Sequence, residues 1–202
     1  MLPLARKLTK LYASGQRVFS LNELMLYWNY ENKDSLYVEL SRLVKKNYLK
    51  KIKRGLYLLP EFEADLDPFE VAGKLYPWSY ISFESVLAKE GIINQWYGSV
   101  FLAGPRTLTI KNKYGTFRYR KMPFDILTER LGIQNEDGKY FIATKERAVC
   151  DYFYKVGFQQ LDDPYELDPR KLRRIARIYG SKRLKQDIAD LIKIIKAKKH
   201  AA

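Results

Sequence analysis

The run Asp34-Ser35-Leu36-Tyr37-Val38-Glu39-Leu40-Ser41-Arg42-Leu43-Val44-Lys45-Lys46-Asn47, continued by Tyr48-Leu49-Lys50-Lys51-Ile52-Lys53-Arg54-Gly55-Leu56-Tyr57-Leu58-Leu59, decides how the start of the chain reads. Placed at 100° steps, Leu36, Leu40, Leu43 and Asn47 cluster on one side, with Val44 close by. Asp34, Val38, Ser41, Arg42 and Lys45 lie opposite, and Ser35 sits on the edge. This is the period of a helix with one apolar face, and it predicts a helix from about Asp34 to Lys46. The pattern then changes. Apolar and basic residues alternate on both sides of Arg54-Gly55, which predicts a hairpin with a basic tip.

Toward the N-terminus, Leu4, Leu8, Leu11 and Tyr12 define one face of a helix from about Pro3 to Ala13. Pro3 suits its first turn and Gly15 its end. Ser20-Leu21-Asn22-Glu23 matches a capping box ahead of a short helix from about Leu21 to Trp28, and Asn29-Tyr30-Glu31-Asn32 is a turn. Helix, helix, turn, helix, basic hairpin is the order of a winged helix-turn-helix. In that module the third helix enters the major groove. Ser35, Val38, Ser41, Arg42 and Lys45 are therefore the candidates on the recognition helix. Arg42 stands out because a guanidinium fork matches the O6 and N7 acceptors of guanine. Lys50, Lys51, Lys53 and Arg54 are the candidates on the wing, where cations meet phosphates and release counterions. Winged helices also dock proteins, so a protein–protein interaction module without sequence-specific DNA binding is the alternative.

The charge is consistent with this division. The 202 residues carry 37 Lys and Arg against 23 Asp and Glu, a net charge of +14. Residues 1–60 hold twelve basic and four acidic residues, 61–160 hold thirteen of each, and 161–202 hold twelve and six. Two basic blocks thus flank a neutral middle, a partition that points to a polyanionic partner rather than to solubility alone. The acidic stretch Pro60-Glu61-Phe62-Glu63-Ala64-Asp65-Leu66-Asp67-Pro68 reads as a linker over 61–67. It separates a winged helix over 1–60 from a second domain over 68–202.

In that second domain Asp67 is the expected cap of one helix, Ser82 of a helix that Gly91 ends, and Thr144 of a third running to about Phe153. Val100–Ala103, Arg106–Ile110, Gly115–Arg120 and Tyr140–Ala143 read as strands, so the domain is α+β. A helical tail over 168–200 follows, in two pieces from Pro169 to Tyr179 and from Lys182 to Lys198. Leu184, Ile188, Leu191, Ile192 and Ile195 form an apolar stripe on the last piece, the pattern of a core or interhelix contact. Arg170, Lys171, Arg173, Arg174 and Arg177 are candidates for a secondary nucleic-acid contact.

Little in the sequence points to catalysis. Cys150 is the one cysteine and His200 the one histidine, which excludes an intramolecular disulfide and a multi-Cys zinc site. Cys150 sits in Ala148-Val149-Cys150, the setting of a buried structural thiol. Pro123-Phe124-Asp125 with Asp137-Gly138-Lys139 imitates the Pro-Asp…Asp-x-Lys pattern of metal-dependent nucleases. However, Asn135-Glu136-Asp137-Gly138 is a strong turn sequence that accounts for the same residues. No enzyme, catalytic residue, metal or cofactor is expected. No apolar run approaches the length of a membrane span, and the segment from Met1 to Lys7 lacks a signal-peptide core. A cytoplasmic protein is expected, with no membrane partner.

Four stretches together resemble a known family. They are Leu40-Ser41-Arg42-Leu43 through Lys53-Arg54-Gly55-Leu56-Tyr57; Tyr80-Ile81-Ser82-Phe83-Glu84-Ser85-Val86-Leu87 with Gly91-Ile92-Ile93; Arg106-Thr107-Leu108-Thr109-Ile110 and its following strand; and Ile142-Ala143-Thr144-Lys145-Glu146-Arg147-Ala148-Val149-Cys150-Asp151. In this order they resemble the AbiE-type antitoxins (AbiEi), the regulatory partners of bacterial type IV toxin–antitoxin systems associated with phage defence. The resemblance implies an N-terminal winged helix that binds inverted repeats in double-stranded DNA of its own promoter and represses the operon. It also implies a C-terminal domain that counters a nucleotidyltransferase-like toxin without forming a stable complex with it. Lys53, Arg54 and Gly55 carry over as wing residues.

Overall fold

The computed structural model describes residues 2–95 and 97–199. His200, with the end of the tail expected over 168–200, lies outside them. The chain is mixed α+β and divides into two compact units, Met1–Leu75 and Tyr76–Ala202.

The first unit runs α1 (Leu4–Ala13), β1 (Val18–Ser20), α2 (Leu21–Trp28), α3 (Lys33–Lys45), β2 (Lys50–Lys53), β3 (Leu56–Leu58) and α4 (Pro68–Leu75). Its three strands form an antiparallel sheet in the order β1-β3-β2. Leu11, Phe19, Leu24, Trp28, Leu36, Leu40 and Leu49 make the core. The capping box of α2 forms as the sequence dictates: Ser20 Oγ accepts from Glu23 N, and the Glu23 carboxylate accepts from Ser20 N. Asn32 caps α3, accepting from the backbone of Asp34 and Ser35.

Four expectations change here. Lys7 lies on the inward face of α1 beside Leu11, while Tyr12 is exposed; the ammonium is buried because Glu39 receives it. Asn47 does not share the buried face of α3. The helix stops at Lys45, and Asn47 takes a left-handed conformation (φ 57°) in the exposed turn, as an asparagine beyond a helix end can. Residues 61–67 are no linker, and Pro68–Leu75 belongs to the first unit, not the second. Pro60–Phe62 forms a 3-10 turn whose Phe62 packs on the core. Glu63 pairs with Lys50, and Arg17 donates to the Asp65 carbonyl. Asp67 caps α4 through Phe69 N. The helix packs against β1 and is fixed by ion pairs Lys74–Glu23 and Arg17–Glu70. The hairpin's alternation holds on β2 but not on β3, where Leu56, Tyr57 and Leu58 are all buried in the middle strand of the sheet.

The second unit runs β4 (Tyr80–Ile81), α5 (Glu84–Lys89), β5 (Val100–Gly104), β6 (Leu108–Asn112), β7 (Gly115–Lys121), α6 (Phe124–Thr128), β8 (Ile133–Glu136), β9 (Tyr140–Ala143), α7 (Lys145–Val156), α8 (Pro169–Ala176) and α9 (Lys182–Lys199). Its six strands form a mixed sheet in the order β6-β7-β5-β4-β9-β8. β4 pairs antiparallel with β5 and parallel with β9, and β5 runs parallel to β7. Thr144 caps α7 as expected, accepting from Arg147 N. Ser82 does not cap α5: its hydroxyl donates to Asp151, 69 residues away, and Phe83 at the helix start adopts φ 55°. The stripe Leu184, Ile188, Leu191, Ile192 and Ile195 is buried, with α9 packed on α7 and α8. Among the described residues no helix is long and apolar enough to cross a membrane.

Candidate nucleic-acid interface

All five residues expected on the outer face of α3 are exposed: Ser35, Val38, Ser41, Arg42 and Lys45. The apolar face of the same helix, Leu36, Leu40 and Leu43, is anchored in the core. Burial of that face is what holds the opposite face at the surface. Val38 is 54% exposed, although valine is among the residues most often buried. Arg42 and Lys45 sit in the last turn of α3 and Lys46 at its C-cap, where cations also suit the helix dipole.

The hairpin is held against the helices from two sides. Arg54-Gly55 is a two-residue loop in which Gly55 adopts φ 80°, a left-handed conformation that glycine reaches without strain. The Gly55 carbonyl accepts from Leu21 N at 2.8 Å, tying the loop to the start of α2. The Arg54 guanidinium lies 5.4 Å from the centre of the Tyr37 ring on α3. A bulge at Ile52 shifts the register between Lys51 and Lys53.

The basic residues of 1–60 separate into two classes. One class is engaged within the unit. Lys7, 1% exposed, donates to Glu39 at 2.5 and 2.6 Å and to the Tyr30 hydroxyl, above the Trp28 ring. Lys10 donates to the Tyr27 carbonyl. Arg17 and Lys50 make the contacts described above. Lys53 donates to the Leu75 carbonyl at 2.6 Å, and partial desolvation lowers its pKa. The other class is exposed, with no side-chain ion pair or hydrogen bond among the described residues: Arg6, Lys33, Arg42, Lys45, Lys46 and Lys51. Lys33, Arg42 and Lys45 lie on α3, Lys46 caps it, and Lys51 is on the hairpin. The structure therefore brings the α3 residues and Lys51 forward as free cations. Arg54 is exposed but stacked, and Lys50 and Lys53 are occupied. No motif marks Arg6, Lys33 or Lys46, and only exposure distinguishes them. Chemically, the free residues of α3 and the hairpin offer one guanidinium fork, Arg42, for base acceptors, ammonium groups for phosphates, and Val38 beside them for a thymine methyl.

The second unit carries Arg170, Lys171, Arg173, Arg174 and Arg177 on the exposed side of α8 and its continuation, opposite the buried Leu172, Ile175 and Ala176. Asp168 caps this helix through Arg170 N and Lys171 N, and these bonds hold its carboxyl below the usual range.

A charged cluster that sequence reading missed lies inside the same unit. Arg147 and Asp151, one turn apart on α7, are both 0% exposed and pair at 3.5 Å. Asp151 accepts from the hydroxyls of Tyr80, Ser82 and Tyr179 at 3.1, 2.7 and 2.6 Å. Arg147 donates to Tyr80 and to the carbonyls of Ile126 and Leu131. Burial raises the Asp151 pKa, while Arg147 and the three hydroxyls pull it back. The cluster is closed to solvent, so it organises the unit. Cys150 beside it is buried, and burial pushes its thiol well above the ordinary range, which keeps it an inert thiol.

The nuclease-like residues fall on surface elements. Asp125 is exposed on α6. Asp137 sits at φ 49° in the β8–β9 turn, where Asn135 accepts from Gly138 N. Among the described residues no group of three or more His, Cys, Asp or Glu side chains could hold a metal ion.

No protein-family model matches the chain, and no curated protein matches it in sequence.

Proposed function

We propose that the protein is a bacterial DNA-binding transcriptional repressor whose first unit is a winged helix. In this reading α3 enters the major groove. Arg42 reads a guanine, Val38 meets a thymine methyl, and Ser35, Ser41, Lys45, Lys46 and Lys51 contact phosphates or base edges. Arg54 keeps the hairpin beside α3 by stacking on Tyr37 and presents its remaining donors to the backbone. The observation that carries the reading is the separation of cations. Those held within the unit each have a partner, and of the six free ones Lys33, Arg42, Lys45, Lys46 and Lys51 lie on α3, at its C-cap or on the hairpin, with Arg6 alone on α1.

The resemblance of four stretches to AbiE-type antitoxins supports a specific setting. There the first unit represses its own promoter at inverted repeats, and the second counters a nucleotidyltransferase-like toxin without a stable complex. The protein then acts in the cytoplasm, by binding and not by catalysis. The protein–protein alternative gains no observation of its own, since the core of a docking patch is usually depleted of charge and the α3 face is cationic.

A reporter driven by the DNA upstream of the gene tests the role. The protein should repress it, and Arg42→Ala with Lys51→Glu, both exposed and without a partner among the described residues, should relieve repression while the protein accumulates normally. Unchanged expression with and without the protein would refute the repressor. Incubation of duplex DNA with the protein and Mg²⁺ or Mn²⁺ should leave the DNA intact; cleavage lost in Asp137→Ala would establish the nuclease instead.

A further inference from the structure

The packing of α8 on α9 leaves a concavity of about 300 Å³ lined by Arg173, Ala176, Arg177, Lys185, Ile188 and Ala189. Its base is apolar: Ala176 and Ile188 are 2% and 1% exposed. Its three cations are exposed, and none makes an ion pair or side-chain hydrogen bond among the described residues. Some other cations of the unit are engaged: Lys193 pairs with Asp190, Lys145 with Glu166, and Arg183 donates to the carbonyls of Phe153 and Tyr154. Arg170, Lys171, Arg174 and Lys182 are exposed and as free as the pocket's three, and it is the apolar base between them that sets Arg173, Arg177 and Lys185 apart. Arg173 and Arg177 stand one turn apart on the same side of the helix, a placement that repels unless an anion lies between them.

We propose that this pocket binds a small phosphorylated ligand of the nucleoside diphosphate class. Two guanidinium groups a turn apart, with an ammonium from the facing helix, match two linked phosphates. Arginine forks hold phosphate oxygens in pairs, and lysine adds a point charge. The apolar base of Ala176, Ile188 and Ala189 takes the ring of the ligand. The volume is at the lower end for small-molecule pockets, the size of a diphosphate with a ring rather than of a duplex. The site does not depend on α3 or the hairpin.

Calorimetric titration of the full chain with inorganic pyrophosphate and with ADP tests it. Both should saturate at one site, ADP more tightly because pyrophosphate leaves the apolar base uncovered. Arg177→Gln and Lys185→Gln should each weaken binding about tenfold or more, the loss of one charge-assisted contact, with an unchanged melting temperature. Lys171→Gln, on α8 but outside the pocket, and Arg42→Ala, on the first unit, should leave binding unaltered. Absence of saturable binding, or equal weakening by Lys171→Gln, would overturn the proposal. So would displacement of pyrophosphate by a random-sequence oligonucleotide whose own binding is lost in the same variants, since that would make α8 a nucleic-acid track.

Discussion

α3 and α7 are both capped amphipathic helices, of 13 and 12 residues, and they use arginine in opposite ways. On α7 the guanidinium of Arg147 is sealed inside the unit, where two carbonyls and a tyrosine hydroxyl accept from its terminal nitrogens and the Asp151 carboxylate lies 3.5 Å from its Nε, which makes no hydrogen bond among the described residues. On α3 the guanidinium of Arg42 is exposed and has no partner among the described residues. An arginine can therefore be read as structural or available only from what surrounds it, and net charge alone confuses the two.

The largest effect that could break this contrast is on α7. Arg147→Met leaves Asp151 as a buried charge facing only hydroxyls, and should cost about 3–5 kcal/mol of stability, read as a lower midpoint in urea unfolding. Replacing both partners, Arg147→Met with Asp151→Leu, should recover part of that loss. If the single variant unfolds at the wild-type midpoint, the cluster does not organise the unit.

A smaller effect separates Arg42 from Lys7. Arg42→Ala should cost about 1–3 kcal/mol of binding to the preferred duplex and relax the choice of sequence, with stability within about 0.5 kcal/mol of wild type. Lys7→Met should do the reverse. It takes the ammonium from the Glu39 carboxylate and leaves the Tyr30 hydroxyl as its donor, costs about 1–3 kcal/mol of stability, and leaves the salt dependence of binding alone.

The smallest effect lies within the hairpin. Lys51→Gln should reduce the slope of log affinity against log salt by about 1, as one phosphate contact does. Lys53→Gln should change it less, because its ammonium is held by the Leu75 carbonyl. Equal changes would mean that Lys53 leaves that carbonyl when the protein binds.

Local signals are legible in the sequence and long-range ones are not. Ser20 and Thr144 cap the helices that follow them because each finds its partner, the backbone N–H of Glu23 or Arg147, three residues away. Ser82 has the same kind of side chain in the same kind of position, yet its partner is Asp151. The positions of Lys7 and Arg147 depend on Glu39, Tyr80 and Leu131, which no periodicity connects to them. β1 and β4 have three and two residues, too short to show an alternation, and β8, Ile133-Gln134-Asn135-Glu136, has a single apolar residue; they become strands through their neighbours in the sheet. The α3 face is readable because one helix and its period specify it. Lys50 and Lys53 read as outward cations because Glu63 and the Leu75 carbonyl belong to a segment that reads as a linker and the next domain.

The central claim is that the free cations of α3 and the hairpin form a duplex-binding surface. Its most direct test is the affinity of the full chain for the DNA upstream of its gene and for random-sequence duplex, each across a range of salt concentrations. With Lys33, Arg42, Lys45, Lys46 and Lys51 free, the slope of log affinity against log salt should lie between about −3 and −5, and the upstream duplex should bind about a thousandfold more tightly than random DNA. A flat salt dependence, or equal affinity for the two duplexes, would contradict it.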